Sequence, residues 1–378
     1  MASDSSAPTA KSRGLEGVVA LDSAISFIDG QSGELIYAGY DIRDLAENAT
    51  FEEVAFLLWN GRMPTSEELV ELNEHLQSER MLPPMVLDVI EMTPRDANPM
   101  ASLRTAVSAL ALFDPEADVH SAEANYRKSV RLTARIPTII AALDRIRKGK
   151  EPVAPLRDRS TAFNFLYMLN GEEPGEAAER TFDACLVLHA EHGLNASTFA
   201  GRVIGATLSD IYSAITGAIG ALKGPLHGGA NIEVMRTLLE IDREGVDPGE
   251  AVRQRLARKE RIMGFGHRVY KTIDPRATIL REMVEDVSEE RGSRKWYDMS
   301  VAMMEVMEKE KGLYPNVDFF SASVYYMLGI DMDLYTPIFA MSRITGWTAH
   351  LLEQWKENRL IRPRAEYVGP RGRAIARS

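Results

Sequence analysis

The sequence predicts a mainly α-helical fold, with strand structure confined to one short hairpin near the N-terminus. Three observations lead there. Helix-start signatures recur along the chain, each followed by apolar residues at three- and four-residue spacing. Strand signals are scarce. No strand–helix alternation of the kind that builds a parallel sheet is present. At 378 residues, 45% hydrophobic and 26% charged, the chain is long enough for two or three domains and a sizeable core.

In chain order, the hairpin comes first: apolar residues 25–28, a turn through Asp29, Gly30 and Gly33, then residues 35–37. Thr50 with Glu53 forms a capping box, and Asn60-Gly61 ends that helix. Thr65 with Glu68 opens a second helix, whose stripe is Leu69, Leu72 and Leu76. Asn98-Pro99 caps a third, carrying Met100, Leu103, Val107 and Leu110 on one face. Residues 121–148 read as helical, with Pro137 expected to kink or break the run. Residues 196–224 hold Gly201, Gly205, Gly217 and Gly220 among many alanines, which suits close helix packing within the chain or between subunits. Asp247-Pro248, Asp274-Pro275 and Thr336-Pro337 repeat the cap-then-proline signature.

Composition excludes several classes. No run approaches the ~18–20 apolar residues of a membrane span. Residues 1–13 have no apolar h-region, so a secretory signal is not expected there. Cys185 is the single cysteine; an intrachain disulfide and a cysteine-cluster metal site are excluded, and a cytoplasmic location is expected. With 44 Lys and Arg against 55 Asp and Glu, the net charge is −11, which argues against general nucleic-acid binding. That charge is uneven. Residues 255–276 hold seven cations against Glu260 and Asp274, and residues 359–378 hold six arginines against Glu366, +5 in each case. The rest of the chain therefore carries −21, and two basic islands on an acidic protein point to a small anionic ligand.

Four of the seven histidines lie between residues 189 and 267. Phe182, Cys185, His189 and His192 share one apolar face of a helix closed by Gly193. Metal ligation is not supported there: HExxH spacing is absent and no carboxylate cluster completes a site. His227, in GPLHGGAN, is flanked by glycines that let a ligand approach the backbone, near a helix N-terminus that disfavours imidazolium. A neutral imidazole can donate to a developing oxyanion. His267 follows Gly264-Phe265-Gly266; with no preceding strand and no third glycine, a dinucleotide-binding reading fails. What remains is an N–H-rich turn followed by cations, suited to a phosphorylated ligand. Asp318 begins an apolar run over 319–328, where a helix N-terminus would keep a carboxylate base ionised. Arg343 sits mid-helix among apolar neighbours with no acid one turn away, so a substrate carboxylate is a candidate partner.

Taken in order, His192, GPLHGGAN, GFGHRVYKTIDPR, PNVD, SRITG and RLIRPR resemble the citrate synthase family. The likeness is to its shorter bacterial and archaeal members, which include 2-methylcitrate synthase. It spans residues 14–364 and takes in Gly39-Tyr40-Asp41-Ile42.

The resemblance implies a two-domain helical homodimer. A large domain would comprise residues 1–227 and 329–378, and a small one 228–328, with the site in the cleft between them. It implies condensation of oxaloacetate with acetyl-CoA followed by thioester hydrolysis, with propionyl-CoA as the alternative acyl donor. Asp318 would remove the methyl proton, His227 would stabilise the enolate, and His267 would polarise the oxaloacetate carbonyl. His192, His267, Arg276, Arg343 and Arg362 would hold oxaloacetate, Arg362 reaching in from the partner subunit. Arg261, Ile262, Met263, Gly264 and Phe265 match the CoA loop, and Lys271, Lys309 and Lys311 are its candidate phosphate contacts. No metal or redox cofactor is implied, since CoA enters as a substrate.

Overall fold

A computed structural model describes residues 13–15, 17–267, 269–290 and 292–375. Arg268 and Arg377 of the basic islands, and residues 1–12, lie outside the described residues.

The hairpin is present and gains a strand. β1 (Ser26–Asp29) pairs antiparallel with β2 (Glu34–Tyr37), which pairs with β3 (Tyr40–Asp41). Ala38 and Gly39, both at positive φ (44° and 94°), make the two-residue turn that matches strand twist. Leu35 and Tyr37 point into the core on alternate positions of β2.

Sixteen α-helices follow among the described residues. The first five are α1 (Ile42–Asn48), α2 (Phe51–Asn60), α3 (Ser66–Glu79), α4 (Pro84–Glu91) and α5 (Pro99–Leu110). Both capping boxes form, Thr50 with Glu53 and Thr65 with Glu68. Gly61 closes α2 at φ 72°, and the Asn98 side chain caps α5.

α6 (Ala122–Arg147) corrects one half of the expectation of a kink or a break at Pro137: the helix runs through it without a break. Proline removes one backbone hydrogen bond, but 17 of the 26 residues are buried against α3, α5 and the last helix, and that packing outweighs the loss. α7 (Thr161–Asn170) and α8 (Glu176–His189) follow, then α9 (Ala196–Gly205) and α10 (Ile211–Leu222). α8 ends at His189, so His192 sits on the connecting turn rather than on the helix. The glycines of 196–224 serve packing within the chain. A Cβ at Gly205 would lie 2.5 Å from Leu351, and one at Gly217 would lie 2.2 Å from Ile204.

α11 (Ala230–Glu244), α12 (Pro248–Ala257), α13 (Pro275–Glu290), α14 (Lys295–Lys311) and α15 (Val317–Met327) pack chiefly on one another. α16 (Tyr335–Lys356) then crosses the core, meeting α2, α6, α8, α9 and α10, with 17 of its 22 residues buried. Thr336 is not its cap: the helix starts one residue earlier, and Pro337 falls in its first turn, where a missing N–H costs nothing.

Candidate active site

Two loops among α11–α15 run side by side. The loop before α13 and the loop before α15 are joined by Gly266 N–H to the Tyr314 carbonyl (2.9 Å) and Asn316 N–H to the Gly264 carbonyl (2.9 Å). Gly264 has φ +85°, and a Cβ there would lie 2.7 Å from Val234 and 2.9 Å from Phe319. The Gly-Phe-Gly sequence is thus what lets this loop press onto α11 and α15. The hairpin tip braces the same loop: Lys271 N–H donates to the Gly30 carbonyl at 2.7 Å.

His267 follows directly on that loop. Its Nδ1 accepts from the Val269 N–H (3.0 Å) and the Tyr270 N–H (3.3 Å), so its proton sits on Nε2, available to a ligand. Burial, with Arg276 adding, pushes its pKa down to about 4. The ring packs 5.2 Å from that of His192, whose Nε2 lies 3.2 Å from the Tyr270 hydroxyl. His192 is also held neutral, by burial first and then by Arg276 and His267.

His227 carries the opposite tautomer. Ser197 N–H donates to its Nε2 at 3.3 Å and the Ser197 hydroxyl lies 2.7 Å away, so the free Nδ1 bears the proton. Its pKa falls to about 4 because it is buried and because Arg343 is near. Those two effects keep this ring neutral.

The arginines differ in their pairing. Arg276 is 2% exposed and bound to Asp274 through Nε (3.0 Å) and Nη2 (2.8 Å). Arg343, 1% exposed, gives its Nε to the His189 carbonyl at 2.7 Å and stacks 4.7 Å over Phe339. Its Nη2 has no hydrogen-bond partner. An unpaired buried guanidinium N–H is costly, and an anionic ligand would satisfy it. Burial pushes the Arg343 pKa down to about 10, against the pull of Glu191.

Asp318 is the second residue of α15, its N–H capped by Asn316. Its place at the start of α15 does not hold the carboxyl at its ordinary value. Burial is the larger effect and lifts it to about 6, with Arg276 pulling back, Asp274 pushing up and Arg343 again pulling back. The residue keeps some accessible surface although protein surrounds its carboxyl.

The structure therefore gathers His192, His227, His267, Arg276, Arg343 and Asp318 around one region, as their mutual ring contacts and charge interactions record. A cavity of about 640 Å³ lies beside it, lined by Lys223, Gly228, Gly229, Arg236 and Met263 among others. A smaller one, about 240 Å³, is lined by His267, Tyr270, Lys271 and Tyr314 among others.

Ile262 and Phe265 are buried, the Phe265 ring lying 4.5 Å from that of Phe319, while Arg261 is exposed and Met263 half-buried at the larger cavity. Lys309 and Lys311 are exposed on the last turn of α14 and line neither cavity. Arg362 is exposed on the segment after α16 and lines neither cavity. Sequence reasoning missed Ser197, Tyr270 and the pairing role of Asp274. Only Asp274 had a signal: a buried arginine two residues on requires a partner.

Comparisons with known proteins show the family. The model for the C-terminal domain of citrate synthase matches residues 14–364. A citrate synthase of Haloferax volcanii is 55% identical over 94% of this chain and 95% of its own length. Citrate synthase 2 of Bacillus subtilis is 56% identical over 95% of this chain and 96% of its own; 2-methylcitrate synthases stand further off. The structure superposes, with a TM-score of 0.90 and 36% identity, on a Thermoplasma acidophilum citrate synthase solved with carboxymethyl coenzyme A and oxaloacetate. That match covers 97% of this chain and 98% of the other. With its helical fold, its two histidine motifs and its buried arginines, the chain belongs to the citrate synthase family.

Proposed function

We propose that this protein condenses oxaloacetate with acetyl-CoA and hydrolyses the resulting thioester to citrate and CoA. One observation carries the reading: a buried arginine with an unpaired N–H stands among two neutral imidazoles and a carboxyl that titrates near 6. That set serves enolate chemistry at neutral pH. Asp318, mostly ionised above pH 6, takes a methyl proton of acetyl-CoA. The His227 Nδ1–H donates to the thioester oxygen as it gains charge, and the His267 Nε2–H polarises the ketone of oxaloacetate. The enolate carbon then forms the new C–C bond, and water cleaves the thioester, releasing the thiol.

His192, Arg276 and Arg343 hold the oxaloacetate carboxylates, bidentate guanidinium contacts fixing its orientation. Arg362 completes the set from the partner subunit of a homodimer; its exposure within the single chain, beyond the end of α16, supports that placement. CoA lies along the loop from Arg261 to Phe265, with Lys271, Lys309 and Lys311 near its phosphates, and it is a substrate, so the reaction calls for no cofactor. Residues 228–328 act as a small domain that closes on the rest and shuts out bulk water. The enzyme works in the cytoplasm.

The test is thiol release from acetyl-CoA on adding oxaloacetate, without ATP, with propionyl-CoA run in parallel. Turnover on acetyl-CoA exceeding that on propionyl-CoA is expected, and Asp318→Ala should lower it by orders of magnitude while oxaloacetate binding survives. No thiol release by the wild type sinks the reading; a propionyl-CoA preference moves the protein to 2-methylcitrate synthesis.

A further inference from the structure

Behind Arg343 lies a second buried charge that the mechanism above does not use. Glu191 has no accessible surface. Its Oε1 accepts from the Ser26 hydroxyl (3.0 Å) and from His350 Nε2 (3.0 Å). The tautomer of His350 is fixed from behind: Arg202 can only donate, so the 3.0 Å contact of its Nη1 makes His350 Nδ1 the acceptor and leaves the proton on Nε2. Arg202 is anchored in turn by Glu353 (2.7 Å) and Gln354 (3.1 Å).

The other oxygen, Oε2, has no partner. It lies against α16 at Gly346, where a Cβ would come within 2.3 Å of it. Gly346 stands one turn beyond Arg343 and one turn before His350 on that helix. Glu191 thus sits over α16 between the substrate arginine and the histidine that holds it. Burial pushes the Glu191 carboxyl up, but His350, Arg343 and Ser26 outweigh it and hold it below the usual carboxylate range.

Two opposite charges, each with a buried atom that has no hydrogen-bond partner, therefore lie within electrostatic reach of each other without forming an ion pair. In a low-dielectric interior their attraction is strong, so something must keep them apart. We propose that His350, with Ser26, restrains Glu191 from collapsing onto Arg343, and so keeps the arginine free for the substrate carboxylate. His350 is a positioning residue for oxaloacetate binding, and Glu191 is an internal competitor held in reserve. Without a carboxylate near it, Arg343 would be a lone cation in the core; with one bound to it, the anion site would already be filled.

The inference rests on reading Arg343 as an oxaloacetate anchor, and the experiment keeps the two apart. Initial rates give kcat and both KM values for His350→Ala, His350→Gln, Glu191→Gln, the double variant His350→Ala/Glu191→Gln, and Arg343→Ala, with melting temperatures alongside. His350→Ala should raise the oxaloacetate KM about tenfold or more, the effect of leaving a charged buried group without its donor. The acetyl-CoA KM should move little, while the melting temperature should fall, since a buried donor is removed. His350→Gln, whose amide supplies the same donor and acceptor, should restore the wild-type KM.

The double variant should restore it as well, since a neutral amide in place of the Glu191 carboxylate cannot compete for the arginine; a purely structural role for His350 predicts no such rescue. An oxaloacetate KM unchanged in His350→Ala, or a rise that the double variant fails to reverse, overturns the inference. If Arg343→Ala also leaves the oxaloacetate KM unchanged, the anchor reading itself has failed.

Discussion

Replacing Asp318 with asparagine should make the substrate-free protein more stable while abolishing its chemistry. The carboxyl is lifted from 3.8 to about 6 by burial. A carboxylate whose pKa is raised on folding binds its proton more tightly in the native state than in the unfolded one. Between pH 3.8 and about 6 the native state therefore holds more protons, and stability falls as pH rises. Above that window the penalty is complete. The shift of some two units corresponds to about 3 kcal/mol at pH 7.5, as an upper figure, falling to about 1 kcal/mol at pH 4.5. Asparagine keeps the shape and carries no charge, so Asp318→Asn removes the penalty.

With an unfolding entropy of about 2 cal/mol/K per residue, a gain of about 1–3 kcal/mol raises the melting temperature by roughly 1–4 °C. Thermal melts of wild type and Asp318→Asn at about pH 7.5 and 4.5 measure it, and steady-state rates confirm the loss of turnover. A variant less stable than wild type at the higher pH, or a gain as large at the lower pH as at the higher, refutes the reasoning.

The same carboxyl sets the acid limb of turnover. The rate should fall with a midpoint near pH 6, to about one-tenth at pH 5, while His227 and His267, at about 4, stay neutral throughout; a midpoint near 4 in the kcat profile would assign the limb elsewhere. Gly30→Ala places a Cβ 2.1 Å from the Val269 carbonyl oxygen, backbone that a rotamer change cannot clear. It should lower kcat by displacing the His267 loop, whereas Gly39→Ala, with open space around it but a positive φ, should affect folding more than rate. Asp274→Asn breaks the buried pair with Arg276 and should cost about 3–5 kcal/mol of stability, read as a lowered denaturation midpoint; a change below about 1 kcal/mol would mean that Arg276 finds another partner.

Local chemistry made most of the fold readable. Capping boxes and cap-then-proline pairs act within four residues, and they placed α2, α3, α5 and α12. Where tertiary packing overrides local preference, a break is expected that does not occur: α6 continues through Pro137 because its surroundings outweigh one missing bond. β3 is two residues long and carries no period to detect. The six gathered site residues were legible because glycines, prolines and charges stand beside them in the chain. Glu191 and His350 were not, being 159 residues apart and meeting only through the packing of α16.

That helix also has a bearing on how the chain comes to be folded. α16 is the last helix made among the described residues, yet it runs through the middle of the core and supplies both Arg343 and His350. During synthesis the faces of α2, α6, α8 and α9 that will cover it must wait in water, and Glu191 waits without its donor. Earlier helices such as α5, α9 and α10 pack on one another without it, but the faces that α16 covers stay open until it arrives. A chain truncated before Tyr335 lacks the helix that crosses the core, and is an unfinished core rather than a smaller enzyme.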